Sequence, residues 1–161
     1  MPDTGEGKIM NQRKCSISMV AIAVLFCIFA LFGCSKAEQA ISLRIQLDTK
    51  EDIGLIVIAY STEDESGISG IGNANQSMLK HDELIIQNFT REMFQNPSDT
   101  KNLSLQFKVI TDCTEPKMDF DYPQEYTKIL APISLEAKFG SSYNITIRGD
   151  KINGYEAVLV Q

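Results

Sequence analysis

The chain has 161 residues, the size of one domain, with 15 Lys and Arg against 21 Asp and Glu and a formal charge of −6. Its 43% apolar content is ordinary for a globular protein, but the average joins two unlike pieces, because residues 17–32 are almost continuously apolar. The 128 residues after Gly33 hold 51 apolar ones and 12 basic against 19 acidic, a net −7; they are too apolar for disorder, too acidic to bind nucleic acid, and contain no second membrane-spanning run.

The N-terminal piece has three zones. Residues 1–16 are polar and carry the basic pair Arg13–Lys14, residues Ile17 to Phe32 form the apolar run, and Gly33-Cys34-Ser35-Lys36 breaks it. Basic, apolar and small-residue zones in that order are the layout of a secretory signal. Met10 to Lys14 alone also makes a compact basic head, so either Met1 or Met10 can serve as the start.

Leu31-Phe32-Gly33-Cys34 resembles the lipobox of bacterial lipoproteins. Leu31 and Gly33 are the preferred types at their positions, whereas Phe32 stands where a small or β-branched residue is usual. The resemblance covers roughly residues 10–35. It implies that the Cys34 thiol receives a diacylglyceryl group, that a peptidase cuts between Gly33 and Cys34, and that the new amino terminus is acylated. The partner of Cys34 is then the lipid bilayer, held through acyl chains at ~0.8 kcal/mol per buried CH₂. Ser35 after the cysteine implies export to the outer membrane, facing the periplasm; the inner membrane is the alternative. An uncleaved signal anchor is a further alternative, but sixteen residues reach only ~24 Å, short of a ~30 Å hydrocarbon core. An ordinary cleaved signal is the third.

The four cysteines fit this division. Cys15 and Cys27 leave with the leader and Cys34 is lipidated, so Cys113 remains as a single thiol with no intramolecular partner. Its neighbours Asp112 and Glu115 are acids, which do not activate a thiol, and a structural role is expected. The expected organisation is therefore a signal peptide over 1–33, a lipidated cysteine and short tether over 34–40, and one domain over 41–161.

That domain reads as strands. Ile41 to Leu47 alternates strictly, and Ile53 to Tyr60 is apolar on both parities, as in a central strand covered on both faces. The link Asp48 to Asp52 is short enough for a hairpin. Further runs follow at Leu84–Phe89, Leu103–Val109, Ile133–Phe139, Tyr143–Arg148 and Tyr155–Val160, the last two joined by the turn-rich 149–154. Fifteen isoleucines within residues 34–161 add β-branched weight. One or two helical turns fit Thr90 to Gln95, with Thr90 as cap. Seven strands predict an all-β, two-sheet antiparallel sandwich, immunoglobulin-like or transthyretin-like, with a small closed barrel as the alternative. Residues 61–82 and 111–132 read as long loops, the kind that carry function.

Motifs for chemistry are sparse. Gly67, Gly70 and Gly72 give G-x-x-G-x-G rather than a dinucleotide fingerprint, and no Gly-Lys-Ser/Thr follows. His81 is the single histidine, set among Lys80, Asp82 and Glu83, and zinc wants three or four ligands. No serine sits in a G-x-S-x-G elbow. Asp119 and Asp121 would face one way on an extended segment, but no D-x-D-x-D-G calcium pattern surrounds them. A paired-carboxylate hydrolase would need a cleft that sequence does not reveal. No catalytic residue, metal or cofactor is expected. Tyr122 and Tyr126, with Asp119 and Asp121 beside them, are the interface candidates, since aromatic rings in long loops serve as anchors. The expected function is a non-catalytic module that binds another envelope protein. An anchored immunity or enzyme-inhibitor protein is the alternative, and a small-ligand carrier the next.

Overall fold

The structure, a computed structural model, describes residues 40–95 and 98–160, within the compact unit Glu38–Gln161. The leader, Gly33, Cys34, Ser35 and the tether before Ala40 lie outside the described residues.

Among the described residues nine strands form two sheets: β1 (Ala40–Thr49), β2 (Leu55–Ser61), β3 (Ser66–Ile71), β4 (Leu84–Thr90), β5 (Thr100–Ile110), β6 (Thr127–Ile129), β7 (Ile133–Lys138), β8 (Ser142–Asp150) and β9 (Gly154–Val160). The first sheet runs β4-β1-β8-β9. The second runs β3-β2-β5, with β6 and β7 following one another along the far side of β5. Leu130-Ala131-Pro132 separates β6 from β7, and the proline cannot donate to a ladder. The molecule is a two-sheet β-sandwich, not a barrel. All seven expected strands are present.

Besides the added strands β3 and β6, which lie in segments expected as loops, the details depart from expectation in three places. β1 and β8 pair in parallel, with Ile45 beside Ile145, so the first sheet is mixed rather than purely antiparallel. β1 and β2 do not form a hairpin: both sides of β1 are taken by β4 and β8, and the link crosses to the other sheet. Ile53 fixes that crossing, fully buried and bridged to Leu79. The segment after β4 makes a single 3-10 turn, Arg91–Met93, with Thr90 at its start but no side-chain cap bond.

Alternation sets the core. Ile41, Leu43, Ile45 and Leu47 of β1 face Ile56, Ile58 and Tyr60 of β2, while Arg44 and Asp48 point to solvent. Fully burying each aliphatic side chain contributes about 1.5–3 kcal/mol. One end is closed by rings. Tyr60 meets Phe89 edge-on at 5.0 Å and Phe94 at 6.0 Å, and Phe94 meets Phe139 at 5.8 Å. These contacts tie β2, β4 and the segments after β4 and β7 together, each adding about 0.5–1.5 kcal/mol beyond burial.

The contrast within β4 gives a test. Phe89 is 0% and Ile86 56% exposed. Urea denaturation should show Phe89→Ala losing about 3–5 kcal/mol and Ile86→Ala changing stability by less than about 0.5 kcal/mol. Equal losses would contradict this packing.

Candidate functional site

β2 is apolar on both faces, and its outward side needs cover. Leu55 and Val57, with Ile110 of β5, form an outer strip that is 3%, 1% and 0% exposed. The cover is the segment after β5, which folds back over the second sheet. Tyr122 lies at the centre of this second cluster, with Cys113, Phe120 and Tyr126 packed around it. The Tyr122 hydroxyl accepts a hydrogen bond from the Lys117 backbone N–H at 2.9 Å and donates to the Glu115 carbonyl at 3.3 Å. The ring therefore pins its own loop. The Thr111 N–H to the Tyr126 carbonyl, at 2.9 Å, closes the base of the segment.

The other long segment approaches from β3. Residues 61–66 make a hairpin turn that holds Glu63-Asp64-Glu65, and 66–71 is a strand rather than a loop. Past β3, the Asn73 carbonyl accepts the Gln76 N–H at 2.8 Å, and the Asn73 amide donates to Ser77 Oγ at 3.0 Å and the Met78 carbonyl at 3.1 Å. The two segments meet across a cleft of about 230 Å³. Its floor is Leu55, Val57, Gly70 and Gly72; Asn73, Ala74 and Gln76 form one wall, and Thr114, Pro116, Phe120 and Tyr122 the other.

The glycine spacing follows from this arrangement. A Cβ on Gly70 would sit 2.6 Å from the Phe120 ring, and one on Gly72 would sit 2.3 Å from Leu55 Cδ2. Gly67, on the opposite face, makes room for the Tyr60 hydroxyl in the same way. The cluster admits side chains rather than phosphates. Among the described residues two non-glycine residues have positive φ, Gln76 at 58° and Phe120 at 52°, and both line the cleft, one on each wall. Such backbone costs about 1–3 kcal/mol per residue and persists only where its surroundings hold it. The lining bears no charge although the domain is acidic. An apolar floor with amide and hydroxyl groups at its rim can receive an uncharged group.

The sequence-derived residues occupy this neighbourhood in different ways. Tyr122 is 7% exposed and faces inward as a loop anchor; Tyr126 is partly buried beside it. Asp119 and Asp121 are exposed, but the Asp119 carboxylate accepts the Asp121 N–H at 3.1 Å, so the segment curls instead of extending. Cys113 is partly buried, its Sγ 3.7 Å from the Glu115 carbonyl. Phe120 and Gln76 were not legible as site residues, since nothing in a sequence marks a non-glycine left-handed position. Next to the cleft, the same outer face continues as a shallow depression of about 670 Å³ lined by small side chains such as Ala59, Ser61, Ser66 and Ser104.

A separate polar cluster ties the β1–β2 link to its surroundings. The Asp150 carboxylate accepts the Ile152 and Asn153 N–H groups at 2.9 and 2.7 Å and pairs with Lys50 at 2.5 Å. Glu51 accepts the Tyr155 hydroxyl and, at 2.8 Å, the Lys151 N–H. Burial, then the Glu51 bond, pushes the Tyr155 phenol well above its usual range. Asp52 pairs with Lys80 at 2.7 Å and accepts the His81 N–H at 3.0 Å, with His81 Nδ1 3.1 Å away. The Lys80 bond, then those from His81, lower the Asp52 carboxyl to about 2, and the Lys50 bond above all holds Asp150 lower still. His81 thus belongs to an exposed ion-pair cluster. The described residues include no group of three or more His, Cys, Asp or Glu placed to hold a metal.

Carboxyls depressed in the folded state stabilise it above their unfolded value of 3.8 and lose that contribution as pH falls through their folded values. Thermal melts should therefore show stability falling from about pH 4 towards pH 2. The double variant Asp52→Asn, Asp150→Asn should start less stable at neutral pH and lose less on acidification. An acid profile identical to that of the parent would contradict the assignment.

Comparison with family models and with curated proteins finds no match. Among solved structures, the human-specific toxin intermedilysin and a disulfide-locked mutant of intermedilysin with human CD59 each align over 77% of this chain at 11% identity and a TM-score of 0.38. The chain spans about a quarter of the length of those chains, 24% and 25% respectively. A likeness at that level assigns neither fold nor function.

Proposed function

We propose that this is a lipid-anchored envelope protein whose sandwich binds another envelope protein without catalysis. The observation that carries the binding role is the convergence of residues 72–77 and 114–122 on one uncharged, apolar-floored cleft. At about 230 Å³ it is smaller than the ~300–1,000 Å³ of pockets for whole small molecules, which favours one apolar side chain of a partner over a metabolite. A buried anchor in a pocket, ringed by weaker contacts, is the usual energetic centre of a protein interface. The shallow outer face beside the cleft supplies that ring. Anchoring rests on the lipobox at Leu31–Cys34. With acylation at Cys34, six residue steps lead to Ala40 and hold the domain within about 20 Å of the bilayer. Ser35 supports the outer membrane, periplasmic side.

A second reading, an anchored immunity or inhibitor protein, is favoured by the net −7 and by the acidic hairpin turn Glu63-Asp64-Glu65. Its partner would be a basic enzyme, and association would weaken steeply with salt. A partner held by its apolar side chain would bind with little dependence on salt.

Two measurements test the proposal. The membrane-extracted protein should have the mass of residues 34–161 plus acyl groups, a form that Cys34→Ala abolishes; an unmodified full-length mass would reject the anchor. A photo-crosslinking side chain at Gln76 in the full chain should capture a discrete partner in intact membranes, whereas one at Asn144, on the outer face of the first sheet, should not. No adduct at Gln76, or the same adducts from both positions, would reject the cleft.

A further inference from the structure

Each sheet ends in two rim strands: β4 and β9 in the first, β3 and the β6–β7 line in the second. Proteins guard such rims with charge, proline or interruption, because free backbone groups recruit further strands. The β6–β7 line is broken at Pro132 and carries Lys128, Glu136 and Lys138. β9 carries Glu156, paired with Arg148 at 2.6 Å. β3 is interrupted by Gly67 and Gly70 and follows an acidic turn. β4 has no such device: Leu84-Ile85-Ile86-Gln87-Asn88-Phe89-Thr90 holds neither charge nor proline, and Leu84 and Ile86 are 45% and 56% exposed.

The β4 backbone shows which groups are free. The Leu47 N–H donates to the Glu83 carbonyl at 2.9 Å, and the register with β1 makes Ile85, Gln87 and Phe89 the next bonded positions. The backbone groups of Leu84, Ile86, Asn88 and Thr90 therefore point away from β1, and among the described residues no strand lies against them.

We infer that β4 is a self-pairing edge: two copies join β4 to β4, antiparallel, about a two-fold axis at Gln87, making one eight-stranded sheet from two first sheets. The occupant is a second copy because the edge is self-complementary. An axis at Gln87 sets Ile86 opposite Asn88 and Leu84 opposite Thr90, so the four outward positions satisfy one another; the Asn88 carbonyl, which accepts a hydrogen bond from Gln87 Nε2 at 3.3 Å, keeps a second lone pair for the partner. Just beyond the strand ends it also brings Glu83 of one copy towards Arg91 of the other, with the like-charged Asp82 and Glu92 one step further out. Arg91 already holds Asp99 of its own chain at 2.5 Å, and its guanidinium has further donors. An axis at Ile86 would bring Glu83 against Phe89 and lose that charge match. The two Ile86 side chains become diagonal neighbours across the axis. Two acidic domains meet with little repulsion along β4, whose residues 84–90 carry no charge. The inference is independent of the cleft and of the anchor.

The two-fold axis makes Gln87 its own partner at a non-hydrogen-bonded position, where Cα atoms lie about 4.5 Å apart, within disulfide range. The full chain carrying Gln87→Cys, in detergent under mild oxidant, should form a reducible dimer that neither the parent chain nor the β9 control Val160→Cys forms. Adding Ile86→Lys should cut that dimer about tenfold by placing like charges across the axis, while far-ultraviolet circular dichroism keeps the parent's β-sheet signal. Sedimentation of the chain without Gln87→Cys, in density-matched detergent, should likewise give a dimer that Ile86→Lys converts to monomer. A monomer in sedimentation, a Gln87→Cys chain that does not crosslink, or a dimer indifferent to Ile86→Lys would each overturn the inference.

Discussion

The outward side of β2 is the constraint on which the rest of this molecule depends. A sandwich strand normally buries one face and wets the other. Leu55 and Val57 give β2 two apolar faces, and Ile110 extends the outer strip onto β5. Leaving three such side chains in water would forfeit several kcal/mol, on the scale of about 1.5–3 kcal/mol each. A piece of chain must therefore cross the outside of the second sheet. Residues 111–126 do so, with Tyr122 as the ring that fills the gap and bonds its own loop in place. The cleft exists because that cover stops short of residues 72–77.

The cover and the cleft are in this sense one problem. The cover needs Gly70 to be bare so that Phe120 can lie on β3, and it needs Phe120 in a left-handed conformation to turn the chain. These features also set the wall and floor of the cleft. The polar bonds around Glu51, Asp52 and Asp150 serve a different purpose, fixing the β1–β2 crossing: Asp150 is buried, while its partner Lys50 and the Lys80 that pairs with Asp52 reach solvent. Pairs with an exposed partner contribute little individually. They specify where the link lies rather than supply most of the stability, which comes from the two apolar clusters.

Much of the fold was legible because alternation reports burial directly. Ile41–Leu47 and Leu103–Val109 read as half-buried strands and are half-buried strands. Ile53–Tyr60 read as covered on both faces, and is, by the inner core on one side and by residues 111–126 on the other. The missed strands have physical reasons. β3 is Ser-Gly-Ile-Ser-Gly-Ile, and its glycines read as a flexible loop; their bare Cα atoms are what allow Tyr60 and Phe120 to pack. β6 has three residues and depends wholly on β5. The parallel β1–β8 pair joins segments about a hundred residues apart, and no local pattern encodes it. That segments 61–82 and 111–132 stand apart from plain strand alternation was legible. Their meeting was not, because it follows from the antiparallel register of β2 with β5. Tyr122 read as an exposed anchor for a partner, and the fold instead turns its ring inward against Leu55 and Val57.

The central claim, that the outer strip of β2 holds residues 111–126 in place and thereby builds the cleft, is tested most directly by Val57→Asn followed by amide hydrogen exchange. The amides of Thr111, Lys117 and Tyr126 should lose protection while those of β1 and β8 keep theirs, because the inner core is untouched. Unchanged protection across 111–126, or a uniform loss throughout both sheets, would contradict the account.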